Sequence, residues 1–300
     1  MNVSDFARGT EKMVNPMEVG KVHFRQTQLR RLPVWIQRKL VKSGMKKMSR
    51  MGFIVEPYAF FLFYEISDPE SVARHLPDGF VPARSRVFAN GPEKFYGIVS
   101  IFRVHTSVFW GARAEFYAIA ENSSTGLLSW VILDYASDTI SYDFLNGLRS
   151  PDVSRAVVTT TCEGEFIAEM VSPARSRHDH ARVLECVADL NKAKMEPLDP
   201  RLWIEGNTSI AYSRDVGGDD GSLFSLTFLP EEMKQALDVP LSAVSRARVD
   251  WFPEIFGDGG KLDMAACFPY AQHMLSDTPG HSTHYGSEEA LRKAAEKVRF

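Results

Sequence analysis

Cysteine is scarce in this sequence. Cys162, Cys186 and Cys267 are the three cysteines in 300 residues, and no two of them have CxxC spacing. An odd number without local pairing argues against a disulfide framework and against a zinc site. We therefore expect buried, reduced thiols in a cytoplasmic protein.

Long apolar runs and common catalytic motifs are also missing. No run approaches the roughly 18–20 apolar residues that cross a bilayer, and residues 1–12 lack the apolar core of a secretory signal. The sequence contains no GxSxG, no GxGxxG and no P-loop. These absences argue against a serine hydrolase, a dinucleotide-dependent enzyme and an NTPase, and we expect no cofactor.

The charge is unevenly distributed along the chain. Residues 1–50 hold twelve Lys or Arg against three acidic residues, a balance of +9, and the remainder carries −12, which gives the net charge of −3. Residues 29–51 place apolar residues at helical spacing among Arg and Lys, so they predict a basic amphipathic helix. Its partner is either an anionic membrane or acidic protein, or its own domain or a second subunit of a homo-oligomer. Nucleic acid is not expected, because Trp35 is the lone aromatic among these charges and the body is acidic.

Short apolar runs separated by turn residues dominate the rest of the chain, which predicts a mainly β fold. We expect one antiparallel barrel or double-sheet domain over residues 53–300, with helices at its periphery. Residues 1–52 form a basic arm, in which 1–28 are read as an extended leader. A short helix is expected after Asp138, a strand over 203–212, either a helix or a strand over 178–195, and a C-terminal helix capped by Ser287.

One stretch, from Gly111 to Pro151, carries charge inside a strand pattern. Arg113, Glu115 and Tyr117 alternate with small and apolar residues, which puts all three on one face of a strand. A second strand, Leu127–Leu133, follows a polar turn. This hairpin is typical of the wall of a pocket.

Several short motifs resemble the acetoacetate decarboxylase-like superfamily. They are the helix end Leu76-Pro77-Asp78-Gly79-Phe80, the hairpin from Gly111 to Glu115, and the segment Asn146–Pro151 with its Gly and Pro. The resemblance implies a conical antiparallel β-barrel around a small-molecule pocket, with Glu115 at the wall position that is acidic in the family. In that family a lysine beside a second lysine forms a Schiff base with the substrate.

The chain departs from the family at that lysine pair. Asp152-Val153 stand in its place, and no lysine occurs between Lys94 and Lys192. The resemblance therefore implies a divergent member that works without a lysine Schiff base.

The candidate catalytic residues are Glu115 as acid or base, Arg113 and Arg149 as carboxylate anchors, and His105 as a general base. Glu115 with Arg113 is equally typical of a structural ion pair, and a lone His is commonly a structural donor. We expect the substrate to contact Tyr117, Trp130 and Phe102. No metal is expected. His178-Asp179-His180 are consecutive, so their side chains cannot converge on one ion, and His281 and His284, considered with His273, are predicted to lie in a loop.

Two functions remain open at this stage. The first is an enzyme that acts on a small or medium organic acid or ketone by decarboxylation, hydration or dehydration, or cyclisation. The second is a non-catalytic barrel that holds a small ligand, with its basic helix docked on a membrane or a partner. The corresponding location is the cytoplasm, with or without peripheral membrane contact.

Overall fold

The computed structural model describes residues 1–45, 50–143, 147–174, 180–217, 224–277 and 285–300. Its helices are α1 (Val3–Met13), α2 (Pro16–Leu29), α3 (Val34–Met45), α4 (Glu70–Ala73), α5 (Gly206–Thr208), α6 (Arg214–Gly217), α7 (Pro253–Phe256) and α8 (Glu288–Glu296). Short helical turns occupy Leu190–Lys192, Arg201–Glu205, Pro230–Met233 and Leu241–Ala243. None of the described helices has the length and apolar character that crossing a bilayer requires.

Strands are the most common secondary structure among the described residues. They are β1 (Arg50–Val55), β2 (Ala59–Ile66), β3 (Phe80–Pro82), β4 (Arg84–Arg86), β5 (Glu93–Thr106), β6 (Trp110–Asn122), β7 (Leu128–Ser137), β8 (Ser141–Asp143), β9 (Gly147–Arg149), β10 (Arg155–Thr160), β11 (Glu165–Ser172), β12 (Arg182–Asp189), β13 (Lys194–Pro197), β14 (Ser209–Tyr212), β15 (Phe224–Phe228), β16 (Gln235–Val239), β17 (Val244–Val249), β18 (Gly260–Phe268) and β19 (Gln272–Asp277). The predicted mainly β fold is confirmed.

Seven of the described strands close into a barrel. Their order is β5, β1, β19, β15, β14, β7 and β6, and β6 pairs again with β5. Every pair in this ring is antiparallel except β14 with β7, which run parallel. The predicted, mainly antiparallel barrel is confirmed, and its one parallel pair arises because the chain returns to β14 by a long crossover through the second sheet.

A second sheet, β10–β11–β12–β17, covers part of the outer wall of the barrel. Small residues on the outward face of β6, among them Ala114 and Ala118, belong to the apolar core between the two layers. Aromatic pairs fasten this contact, since Phe60 stacks on Phe166 at 4.5 Å and Phe116 on Trp251 at 5.1 Å between ring centroids. The alternation along β6 therefore gives the outward face to packing and leaves the inward face to the cavity.

The reading of residues 1–28 as an extended leader is wrong, because they form α1 and α2. Asn2 accepts a hydrogen bond from the backbone N–H of Asp5 at 2.8 Å, and Asn15 caps α2 in front of Pro16. Phe6 is fully buried against Leu275 and its neighbours, so α1 packs on the barrel. Asn caps and the apolar positions of α1 were the sequence signals for these helices.

Two predicted elements, the helix after Asp138 and the strand from residue 203, differ from the structure. The helix predicted after Asp138 is replaced by the β8–β9 pair, and the Asp138 side chain instead accepts a hydrogen bond from the Ala112 N–H at 2.9 Å. Residues 201–208 are helical, so the strand predicted from 203 begins only at Ser209. The ambiguous 178–195 segment contains strand β12, and Ser287 caps α8 as predicted.

The predicted helix over 29–51 is present in a shorter form. α2 ends at Leu29, α3 spans Val34–Met45, and β1 already begins at Arg50. Residues 46–49 lie outside the described part of the chain. The division into an arm of residues 1–52 and a domain of residues 53–300 stays a prediction.

Candidate active site

The barrel encloses a cavity of about 660 Å³ that is lined mainly by apolar and aromatic side chains. Arg113, Glu115 and Tyr117 of β6 line it, as the alternation of that strand requires. Phe102, opposite Arg113 on β5, and Trp130 of β7 line it as well. Five of the seven predicted site residues therefore meet in one cavity.

A buried acid–base cluster stands on this wall. Arg113 donates from Nε to one carboxylate oxygen of Glu115, and the Tyr117 hydroxyl donates to the other. Arg113 also donates to Ser141 Oγ at 3.0 Å. These three residues of β6 are each buried. Both oxygens of Glu115 are thus held by donors inside a desolvated site, where charge interactions are stronger than in water.

Burial and the carboxylate set the protonation states of the cluster. Burial raises the pKa of Tyr117 well above its usual range, and the neighbouring Glu115 adds to the rise. Burial alone would lower the pKa of Arg113, but the Glu115 carboxylate raises it on balance. Tyr117 is therefore a neutral phenol and Arg113 a cation at neutral pH.

Aromatic rings hold the guanidinium of Arg113 in place. Its Cζ atom lies 4.1 Å from the ring centre of Tyr135 and 5.5 Å from that of Phe109. Tyr135 is the register partner of Glu115. The register of β6 against β7 then shifts between Phe116 and Tyr117. This bulge lies directly beside the cluster, where bulges commonly re-aim side chains.

The structure does not bring Arg149 or His105 to the cavity. Arg149 binds Asp134 at 2.9 Å and Asp152 at 3.0 Å, so two carboxylates already occupy the predicted anchor. His105 lies on the outside of the barrel, where its Nε2 atom contacts Glu56 Oε1 at 2.5 Å. Neither side chain is placed to touch a ligand in the cavity.

The sequence reasoning missed several polar residues of the cavity wall. They come from strands and helices other than β6: Gln26, Ser100, Ser141, Tyr212, Gln272 and Asp277. The Oε1 atom of Gln26 is buried and has no hydrogen-bond partner. An unpaired buried acceptor on the wall of a cavity is a place for a donor group of a ligand. The Asn15-Pro16 helix start was the sequence signal that could have found Gln26.

The helices α2 and α3 cover one end of the barrel. Val22, Gln26 and Leu29 of α2 and Leu40 and Val41 of α3 line the cavity. We call α2 and α3 together the helical cap. They reach the cavity from a part of the chain that the sequence assigned to an arm.

One polar side chain fastens the cap to the barrel. Gln37 of α3 is almost fully buried, donates to the carbonyl oxygens of Arg30 and Leu32, and accepts from the Leu148 N–H at 2.8 Å. The Gln37 side chain can approach the backbone at residue 147 because that residue is a glycine: a Cβ at Gly147 would lie 2.7 Å from Gln37 Oε1. The φ of Gly147, +73°, also favours glycine.

Metal binding finds no support among the residues that the structure describes. They contain no group of three or more His, Cys, Asp or Glu side chains that could hold an ion. His273 contacts Glu232 at 3.0 Å and Glu11 at 3.4 Å. The other predicted non-sites, around His178 and at His281 and His284, lie outside the described residues.

Fold and cavity together define a closed β-barrel protein with a buried acid–base cluster on the wall of an internal cavity. No protein-family model and no curated protein matches the sequence. Among solved structures the chain is similar to an acetoacetate decarboxylase from Legionella pneumophila, with 11% identity over 76% of this chain and 85% of the other at a TM-score of 0.42.

Two further similar structures are enzymes. One is the enduracididine biosynthesis enzyme MppR, with 12% identity over 76% of this chain and 87% of the other at a TM-score of 0.42, complexed with the condensation product of pyruvate and imidazole 4-carboxaldehyde. The other is an acetoacetate decarboxylase-like enzyme from Sphingomonas wittichii RW1, with 9% identity over 77% and 93% at 0.37. The Legionella and Sphingomonas proteins carry the name of the family that the sequence motifs resemble.

Proposed function

We propose that this protein is an enzyme that binds a small or medium organic acid or ketone in the barrel and moves a proton next to its carbonyl group. The observation that carries the proposal is the buried cluster of Arg113, Glu115 and Tyr117 on the wall of the cavity. Such proton transfer is common to decarboxylation, dehydration and cyclisation of keto compounds.

The cluster supplies each part that the step needs. A ligand carbonyl that enters between Tyr117 and Glu115 accepts the phenol hydrogen bond and frees a carboxylate oxygen. Glu115 then takes a proton from the carbon next to the carbonyl, the electron pair of that C–H bond forms a carbon–carbon double bond, and the π pair of the carbonyl moves to its oxygen. Tyr117 and Arg113 stabilise the resulting enolate charge. Return of the proton to carbon completes the exchange.

The step requires no imine. None of the described residues that line the cavity is a lysine. The sequence motifs resemble a decarboxylase family, and Asp152-Val153 stand where that family has its lysine pair. We therefore infer carbonyl polarisation by hydrogen bonds in place of a Schiff base.

Hydrogen–deuterium exchange tests the proposal. The protein is incubated in D₂O with 2-oxobutanoate, and loss of the C3 proton signal is followed by NMR. Wild type is expected to accelerate exchange, Glu115→Gln to lose about 10²–10⁴-fold, and Tyr117→Phe to lose less. Glu121→Gln, on the same strand but paired with Arg201 outside the cavity, is the matched control and keeps wild-type exchange.

Borohydride separates the two chemistries. Treatment of the protein with borohydride and 2-oxobutanoate is expected to leave every lysine unmodified by mass spectrometry. A reduced adduct on any lysine, or equal exchange by wild type and Glu115→Gln, would contradict the proposal.

A second function is favoured by one observation. Both oxygens of Glu115 already have partners, which suits a rigid wall of a ligand-binding barrel. In that case keto acids bind, as seen from the fluorescence of Trp130 and Trp203 in the cavity wall, and no ligand that binds undergoes exchange.

A further inference from the structure

The outer face of the helical cap carries large apolar side chains in solvent. Met17 is 73% exposed, and Phe24 and Trp35 are each 68% exposed. Residues 16–45, which contain the cap, hold seven Lys or Arg against the single acidic residue Glu18. Exposed apolar side chains among basic residues mark a surface that binds another protein or a membrane.

The mouth of the cavity lies in the same cap. Arg25 and Leu40 line the cavity and are also exposed, so they mark where it opens to solvent. Leu40 is 43% exposed, which is unusual for a leucine that also faces an internal space. Phe24 is next to Arg25 in α2, so an exposed apolar side chain of the cap lies beside the mouth of the cavity.

We propose that the helical cap docks on an anionic membrane surface and that the cavity takes up an amphipathic acid or ketone with an apolar chain. Arg31 and Lys39, both exposed, attract the lipid headgroups, and Met17, Phe24 and Trp35 enter the headgroup boundary. The apolar wall takes the chain. The polar end reaches Arg113 and Tyr117, and this part alone rests on the proposed function.

A bilayer fits this surface better than a folded partner does. The exposed apolar side chains lie within residues 16–45, which hold seven Lys or Arg against one acidic residue. The centre of a protein interface is depleted of charged residues such as Lys, whereas Trp and Phe beside a Lys- and Arg-rich face are typical of helices that lie in a membrane interface. The charge is complementary to anionic lipid.

Vesicle co-sedimentation of the full chain tests the docking. Wild type is expected to bind phosphatidylglycerol vesicles, to bind phosphatidylcholine vesicles far more weakly, and to lose binding as salt rises. The triple variant Met17→Ser/Phe24→Ser/Trp35→Ser is expected to bind the same vesicles more weakly by about tenfold or more. Arg31→Gln/Lys39→Gln should weaken binding by about tenfold or more.

The matched control is Val81→Ser/Met195→Ser, which removes exposed apolar side chains on β3 and β13, away from the cap. It should bind vesicles as wild type does. Unchanged urea midpoints show that each variant is folded. Absence of wild-type binding, equal binding by the triple variant, or a dimer that the triple variant dissociates would overturn the docking proposal.

Chain length tests the ligand class. Cavity tryptophan fluorescence is titrated with 2-oxobutanoate and with 2-oxodecanoate, and the longer acid is expected to bind about 100-fold more tightly. Equal affinities would overturn the inference. If chain length matters but no proton exchange occurs, the proposed function fails while this inference stands.

Discussion

The Glu115→Gln substitution removes the negative charge beside buried Arg113 and keeps the shape of the side chain. The two side chains are 10% and 7% exposed, respectively. Leaving one partner of a buried ion pair without its counter-charge costs about 3–5 kcal/mol. Arg113 keeps Ser141 and the face of Tyr135, and the cavity can admit water, so we expect a loss of about 2–4 kcal/mol in the free energy of unfolding.

Urea denaturation at neutral pH measures this loss. Glu121→Gln is the matched control, because it removes a carboxylate from the same strand whose partner, Arg201, lies in an exposed pair at 2.8 Å. That pair is worth about 0–1 kcal/mol. The variant Arg113→Met/Glu115→Gln should recover much of the loss, since it leaves no isolated cation.

The result that would refute this reasoning is specific. If Glu115→Gln and Glu121→Gln unfold within about 0.5 kcal/mol of each other with unchanged urea dependence, water screens the Arg113 pair. The cluster would then not be the desolvated site on which the proposed proton transfer depends.

Three further outcomes are expected. Tyr117→Phe should lower the free energy of unfolding by about 1–3 kcal/mol and slow deuterium exchange, because one buried oxygen of Glu115 loses its donor; unchanged exchange would count against a role of Tyr117 in the proposed proton transfer. Burial alone would lower the pKa of His273, but Glu232 and Glu11 raise it on balance. Its contribution to stability is therefore full below about pH 6.5 and is lost as pH rises through the raised pKa; His273→Gln should remove that dependence above about pH 6.5 in urea denaturation, and an unchanged dependence would contradict it. Gly147→Ala should destabilise the protein by about 1–3 kcal/mol, because a residue with a Cβ is strained at a φ of +73° and that Cβ would clash with Gln37. Equal urea midpoints for the variant and wild type would show that the cap is not fastened there.

The barrel wall was predictable because alternation is a local property. Arg113, Glu115 and Tyr117 share a face whatever the register of the neighbouring strands. Phe102 lies on β5, where the sequence carries no such mark. Its place in the cavity depends on its pairing with Arg113 across β5 and β6, which the structure shows.

The helical cap was not predictable from local pattern alone. The apolar stripe of α2 is formed by Val19, Val22 and Leu29, with Gln26 between them, and only the barrel opening makes that face internal. Polar residues such as Gln272 come to the cavity through pairings between distant strands, and a sequence without those pairings gives them no direction.

Arg113 and Arg149 look alike in the sequence, since each is an arginine on a strand near Glu115. The structure gives them different roles through one ring, because the Cζ atoms of both lie 4.1 Å from the centre of Tyr135. Burial alone would lower the pKa of Arg149, but Tyr135, Asp134 and Asp152 raise it on balance. Two carboxylates thus satisfy Arg149 outside the cavity, whereas Arg113 shares a single carboxylate with Tyr117. Of the two cations, only Arg113 can turn toward a ligand without leaving a second acid unpaired.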